Sequence, residues 1–353
     1  MLPDAGGPVP QGEIAASRLI DLSANENPLG ASPAVLRALA ASASAVHRYP
    51  DSQGAALKAA LAAKLRIGAA TIVLGNGSSE IFDFLARALF QGGGGEAIIG
   101  WPSFPTYRAA VERAGGEAVL VPLVDHAYDL DAIAARAGSN TRLIILGNPN
   151  NPTGLAISKA GFDRFLDRLP QGPVVCLDEA YTDYTTGDLP NSLDYIRAGR
   201  ALIAVRTLSK AYGLAGLRIG YAVAPEPLAK RLNQQRQRFN TSSLAQAAAI
   251  AALGDEDHLA STVALNASGR AWLSDKLSAL GLSFVPSQAN FLLVHVGDGA
   301  RVGQALKAAG ILVKDLEAFG LNEYIRVSVG TPDGNARFIG ALQAAMREEK
   351  RPA

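Results

Sequence analysis

The sequence holds one cysteine, Cys176, so no disulfide framework staples the fold. Its place in the apolar run 173–177 marks a core residue rather than a reactive thiol. The histidines His47, His126, His258 and His295 show no metal-ligand spacing, so no bound metal is expected. A formal charge of +1 leaves no excess to hold nucleic acid or an anionic membrane surface. No apolar run approaches the roughly 20 residues of a membrane-spanning helix. The N-terminus also lacks the basic-then-apolar pattern of a secretory signal, so the expected compartment is the cytoplasm. What remains is a globular chain with 48% hydrophobic and 18% charged residues, rich enough in apolar material for a large core. At 353 residues it is too long for one small core and fits a large and a smaller domain.

Residues 1–17 are rich in glycine and proline and read as a flexible arm. Apolar spacing predicts helices over 33–44 and 54–65, after which strands and helices alternate. Strands are expected at 72–74, 96–99, 118–121, 142–146, 174–177, 201–205 and 218–223, and helices at 78–90, 107–115 and 158–169. That alternation predicts an α/β fold with a mostly parallel sheet sandwiched by helices. Past about residue 244 the pattern changes. A long helical stretch (245–253, then 256–280) precedes an apolar segment at 284–296, a helix at 300–309, strands at 311–313 and 324–329, and a last helix at 334–347. The expected division is a large domain over 46–245 and a discontinuous smaller α+β domain, 1–45 plus 246–353, against which helix 33–44 packs.

In such sheets ligands bind at the carboxyl ends of the strands, so the loops there carry the chemistry. Lys210 lies in the small-residue loop 207–216 between two apolar strands. Desolvation there lowers an amine's pKa and makes a Schiff-base nucleophile, although an exposed loop lysine fits the same pattern. Arg218, eight residues on, is either a bidentate phosphate grip or a surface arginine. The turn Gly75-Asn76-Gly77-Ser78-Ser79-Glu80 opens a helix, where the amides of Gly77, Ser78 and Ser79 suit a phosphate or form a simple cap. It lacks the third glycine of a dinucleotide fingerprint and the Gly-Lys-Ser/Thr end of a Walker loop. Phe104 either stacks on a planar heterocycle or is core. Asn151 offers an amide from the loop 148–154, which could equally be only a turn. Asp178 ends a buried strand and needs a cation or several donors to stay ionised, unless it is a helix cap. A protonated pyridine nitrogen would supply that cation, and the Tyr181 hydroxyl could reach a ring oxygen.

Each motif alone is ambiguous; their order and spacing are not. From about residue 23 to its end the chain resembles the fold-type-I pyridoxal 5'-phosphate (PLP) aminotransferases. The matching segments are Asn148-Pro149-Asn150-Asn151-Pro152-Thr153-Gly154, Asp178-Glu179-Ala180-Tyr181, the run from Thr207 to Tyr221, and Tyr324-Ile325-Arg326-Val327-Ser328-Val329-Gly330. Within that superfamily the chain is similar to histidinol-phosphate aminotransferases. This rests on Ala24-Asn25-Glu26-Asn27-Pro28-Leu29-Gly30, Arg48-Tyr49-Pro50-Asp51, Phe239-Asn240, Ser243 through Ala248, Pro286 through Phe291, and Arg326 through Pro332.

The resemblance implies a PLP enzyme in which Lys210 forms the Schiff base and serves as base for a 1,3-proton shift. It gives Asp178 the pyridine nitrogen, Asn151 and Tyr181 the ring oxygen, and Phe104 the ring face. Gly77, Ser78, Ser79, Thr207, Ser209 and Arg218 take the phosphate, and Tyr49 reaches it from a neighbouring subunit, so a homodimer with shared active sites is implied. Arg326, Lys314, Asn27 and Asn290 fall to the substrates, a small-molecule amino donor and a 2-oxo acid acceptor. The implied reaction converts L-histidinol phosphate and 2-oxoglutarate to imidazole acetol phosphate and L-glutamate in histidine biosynthesis. Two features depart from the family. Lys314 stands where a second anion-gripping arginine is usual and lacks its planar fork, and residues 1–17 contain no tyrosine. An aromatic amino-acid aminotransferase, a threonine-phosphate decarboxylase and a non-enzymatic binding protein of the same fold are the competing readings. Intact Lys210, Asp178 and Arg218 argue against the last.

Overall fold

The structure, a computed structural model, describes residues 19–348. The flexible arm expected over 1–17 lies outside the described residues.

In chain order, β1 (Ile20–Asp21), α1 (Pro33–Ser42) and α2 (Ala55–Leu65) lead into an alternating array. It runs β2 (Ile72–Gly75), α3 (Gly77–Phe90), β3 (Glu96–Trp101), α4 (Thr106–Arg113), β4 (Glu117–Pro122), α5 (Leu130–Arg136) and β5 (Thr141–Gly147). Then follow α6 (Lys159–Arg168), β6 (Val174–Asp178), α7 (Ser192–Arg197), β7 (Leu202–Thr207), β8 (Gly220–Val223) and α8 (Glu226–Asn233). The remainder is α9 (Ser243–Gly254), α10 (Glu256–Ala279), β9 (Phe284–Val285), β10 (Phe291–His295), α11 (Gly299–Ala308), β11 (Ile311–Leu312), β12 (Lys314–Asp315), β13 (Tyr324–Ser328) and α12 (Pro332–Glu348).

The seven-stranded sheet has the order β2-β8-β7-β6-β5-β3-β4. Strands β3 to β7 run parallel, and β8 is antiparallel to both β2 and β7. Its central strands are buried on both faces, which is why they read as continuous apolar runs and not as alternating ones. Two apolar clusters cover the two faces, one holding Leu74, Leu146 and Leu177, the other Val73, Ile145 and Cys176. A four-stranded antiparallel sheet, β12-β13-β10-β9, and the parallel pair β1-β11 form the second framework. Its own cluster gathers Leu22, Leu292, Val327 and Phe338.

Several expectations shift. The strand expected at 218–223 begins only at Gly220, because Arg218 sits at φ +53° in the turn before it. The helical stretch 245–280 is two helices, because the Asp255 side chain accepts from the His258 amide and starts α10 afresh. The segment 284–296 splits into β9 and β10. Helix α1 starts at the cap Ser32 and packs on α9, with Val35 in one apolar cluster with Ala245 and Ala249. Helices α5, α7 and α8 were not expected from apolar spacing, and at 7, 6 and 8 residues they are too short to show a period.

Candidate active site

The carboxyl ends of β5, β6 and β7 open into a cavity of about 410 Å³ that draws together most of the predicted residues. One end is built for an anion. Helix α3 starts directly after β2, no side chain caps its first turn, and Ser78 and Ser79 line the cavity there. Gly77 has φ +75°, and a Cβ on it would lie 2.3 Å from the Arg218 guanidinium, so glycine is what lets that cation approach the helix start. Arg218 donates to the Ser209 hydroxyl (3.4 Å) and to the Ala215 carbonyl (3.1 Å). The Thr207 hydroxyl donates to Ser209 Oγ at 2.9 Å and accepts from the Ser209 amide at 3.1 Å, which fixes both hydroxyls at the lip.

The floor is Asp178, the last residue of β6 and only 6% exposed. Its Oδ2 accepts from the Tyr107 hydroxyl (2.6 Å) and its Oδ1 from the Ala180 amide (3.0 Å). Burial pushes its carboxyl up to about 6 against those two hydrogen bonds, so this acid is held in want of a cation. Phe104 lines the wall and meets Tyr107 edge-on, with centroids 5.7 Å apart.

Lys210 is half-buried, and its Nζ donates to the Ala24 carbonyl at 2.8 Å. Burial, then the Arg326 and Arg218 cations, pull its ammonium down to about 8, against the attraction of Glu26 and Asp178. The Tyr181 oxygen accepts from Asn25 Nδ2 at 3.0 Å, and Asn25 Oδ1 accepts from the Ser328 hydroxyl at 3.1 Å. That polarity leaves the phenolic proton of Tyr181 to point elsewhere.

At the other end of the cavity Arg326, 5% exposed, donates to the Asn151 side-chain oxygen and to the Ser23 carbonyl, the latter at 2.7 Å. Its Nε is buried without a hydrogen-bond partner. Lys314 pairs with Arg326 across β12 and β13, so two cations stand side by side at the mouth, one buried and one exposed.

Four predicted residues, Gly77 at the helix start and Tyr49, Asn27 and Asn290, are not among the cavity's lining. Tyr49 is 83% exposed and stacks on Phe239 at 4.6 Å. Asn27 is buried and donates to the Ala211 carbonyl (3.0 Å) and to Thr262 (3.1 Å). Asn290 is buried and donates to the Asn25 carbonyl at 3.0 Å. Both asparagines therefore brace the segment 23–27, which lies across the site. Sequence reasoning passed over Asn25, named only as part of a motif, and Tyr107, read only as the start of the helix expected at 107–115.

Among the described residues no group of His, Cys, Asp and Glu could hold a metal ion, and no helix is long and apolar enough to cross a membrane.

This geometry joins an uncapped helix start with an arginine, a buried acid, a depressed amine and an aromatic wall on one sheet, and the pattern of the family "Aminotransferase class I and II" matches residues 17–342. The chain belongs to that family. It is 45% identical to histidinol-phosphate aminotransferase 1 of Cupriavidus pinatubonensis over 93% of this chain and 89% of that one. It is 44% identical to histidinol-phosphate aminotransferase 2 of Ralstonia nicotianae over 96% and 92%. The crystal structure of histidinol-phosphate aminotransferase from Sinorhizobium meliloti in complex with PLP superposes with a TM-score of 0.86 at 31% identity, over 94% of this chain and 92% of that one. The chain is a fold-type-I, PLP-dependent aminotransferase. The donor set fits the cofactor: the anion end matches its phosphate, and Asp178 lacks only the cation that a pyridinium provides.

Proposed function

We propose that this chain transfers the amino group of L-histidinol phosphate to 2-oxoglutarate, giving imidazole acetol phosphate and L-glutamate. The observation that carries the donor is the pair of cations, Lys314 and Arg326, in register at the mouth and facing the same cavity as Lys210. A dianionic phosphate is the group that two adjacent cations satisfy best. The names of the similar proteins support the same donor. Bound PLP supplies an electron sink for the carbon that carries the amino group. The chain's own residues do the rest. Arg218, Thr207, Ser209 and the first-turn amides of α3 (Gly77, Ser78, Ser79) hold the phosphate, and Phe104 covers the ring. Asp178 keeps a proton on the ring nitrogen. Asn151 and the Tyr181 hydroxyl hold the ring oxygen, and Asn25 orients that hydroxyl. The Lys210 amine, its ammonium pulled down to about 8 by burial, would hold the cofactor covalently until the donor's amine displaces it, and once freed would take the proton from the donor's amine-bearing carbon. Asn27 and Asn290 act on the substrate through the segment they brace.

The working unit in this reading is a homodimer, in which Tyr49 of one copy completes the phosphate site of the other. Supporting it, Tyr49, Val46, Leu36 and Ile250 expose apolar surface that a second copy would cover. The division into a large domain over 46–245 and a smaller one from the rest, and a cytoplasmic location, belong to the same proposal.

The test is a half-reaction. Adding L-histidinol phosphate to the PLP form should convert its visible band to the pyridoxamine form at low concentration, with L-phenylalanine far weaker. Preference for phenylalanine would make this an aromatic amino-acid aminotransferase, a reading that Phe319 in the cavity wall favours. Silence with both donors, or release of carbon dioxide from a phosphorylated amino acid, would overturn the assignment.

A further inference from the structure

Strands β5 and β6 bring Gly147 opposite Asp178, and two tyrosines converge on that point from outside the sheet. The Tyr107 hydroxyl donates to Asp178 Oδ2 at 2.6 Å. The Tyr128 hydroxyl accepts from the Gly147 amide at 3.0 Å and donates to Asn150 Oδ1 at 2.7 Å. The space for both is cleared by glycine. A Cβ on Gly147 would stand 3.3 Å from the Tyr107 oxygen and 3.4 Å from the Tyr128 oxygen, and one on Gly100 of β3 would stand 2.2 Å from the Tyr128 ring. The Tyr107 ring cannot swing away. It is 2% exposed, edge-on to Phe82 at 4.8 Å and to Phe104 at 5.7 Å. Burial and the neighbouring Asp178 hold the phenol well above its ordinary range, so it keeps its proton and serves that carboxylate as a donor.

We propose that Tyr107 is a positioning residue for the aminotransferase reaction, fixing the orientation and lowering the basicity of the Asp178 carboxylate that holds the cofactor's ring nitrogen. The inference rests on the reading of Asp178 given above. With Oδ1 on the Ala180 amide and Oδ2 on the phenol, the carboxyl plane is set before any cofactor arrives. A hydrogen bond from a neutral donor also draws charge from the carboxylate, so less of the ring proton is pulled toward it and the ring stays electron-poor. The one hydroxyl therefore acts on both placement and electronics.

The test is a double-mutant cycle read by PLP affinity, with Tyr107→Phe, Asp178→Ala and the pair, each checked for folding by circular dichroism. Tyr107→Phe should weaken PLP binding about 10-fold, in line with a hydrogen bond to a charged group. In the Asp178→Ala background the same change should alter affinity by less than about twofold, because the phenol has no carboxylate left to act on. Tyr107→Phe should also move the pH midpoint of the cofactor's visible band upward, and 3-fluorotyrosine at position 107, a stronger donor on the same ring, should move it downward. Equal losses in both backgrounds, or a midpoint unmoved by either replacement, would overturn the proposal and leave Tyr107 a packing residue. Should Tyr107→Phe fail to fold, the fluorotyrosine protein alone decides by its midpoint. If Asp178→Ala itself leaves PLP affinity intact, the assignment of Asp178 falls first, on separate grounds.

Discussion

The two ends of the cavity are built differently. The cofactor end grows from the carboxyl ends of adjacent strands of one sheet: Asn151 just beyond β5, Asp178 on β6, Thr207 to Lys210 at and after β7. Nearly every polar group there is held by a neighbour before a ligand arrives. The substrate end is pieced together from distant parts, the segment 23–27, β12 and β13, and the second of its two cations stands in solvent. A rigid parallel sheet can place atoms for one invariant cofactor, whereas a mouth made from separate segments can change one residue at a time. Lys314, exposed on β12, belongs to that mouth.

Substitution at the join between the two ends has the largest effect. Lys210→Ala should cut turnover by about 10⁴-fold, the upper range for losing a positioned proton-transfer group, while PLP still binds without a covalent link. Steady-state rates and mass spectrometry of the denatured protein check both halves. Arg326→Ala should raise the donor KM about 100-fold, because it removes a buried charged contact, and should leave the cofactor band intact. A lost band would make Arg326 part of the cofactor end. Arg218→Ala should do the reverse, weakening PLP about 30-fold in a fluorescence titration without changing which donor is preferred. Lys314→Ala should cost no more than about fivefold in kcat/KM, since an exposed cation is screened by water and salt.

The finest test is electrostatic. In the apoprotein the reactivity of Lys210 toward an aldehyde reagent should rise with a pH midpoint near 8. A nearby cation disfavours the ammonium, so Arg326→Ala should move that midpoint upward. An unmoved midpoint would mean that burial alone sets the amine.

The same contrast governs what the sequence discloses. Strand ends, a helix start after a glycine, and a lysine between two apolar runs are local patterns, so Asp178, Lys210, Ser78 and Arg218 were legible. The parallel sheet was legible too, since its buried strands carry continuous apolar runs. Asn25 meets Tyr181 across 156 positions and Ser328 across 303, and no local pattern encodes such a meeting. Asn27 and Asn290 spend their amides on backbone and side-chain oxygens and do not line the cavity. The packing of α1 on α9 also depends on what lies opposite in space, whereas the break at Asp255 is a local cap.

Both ends of the cavity meet at one amine, Lys210. Reducing the PLP-loaded protein with borohydride and mapping its peptides should place the pyridoxyl label on Lys210 alone. Label on Lys58, a second lysine whose ammonium burial pulls down to about 8, or on any other lysine with Lys210 unmodified, would contradict the site as built here.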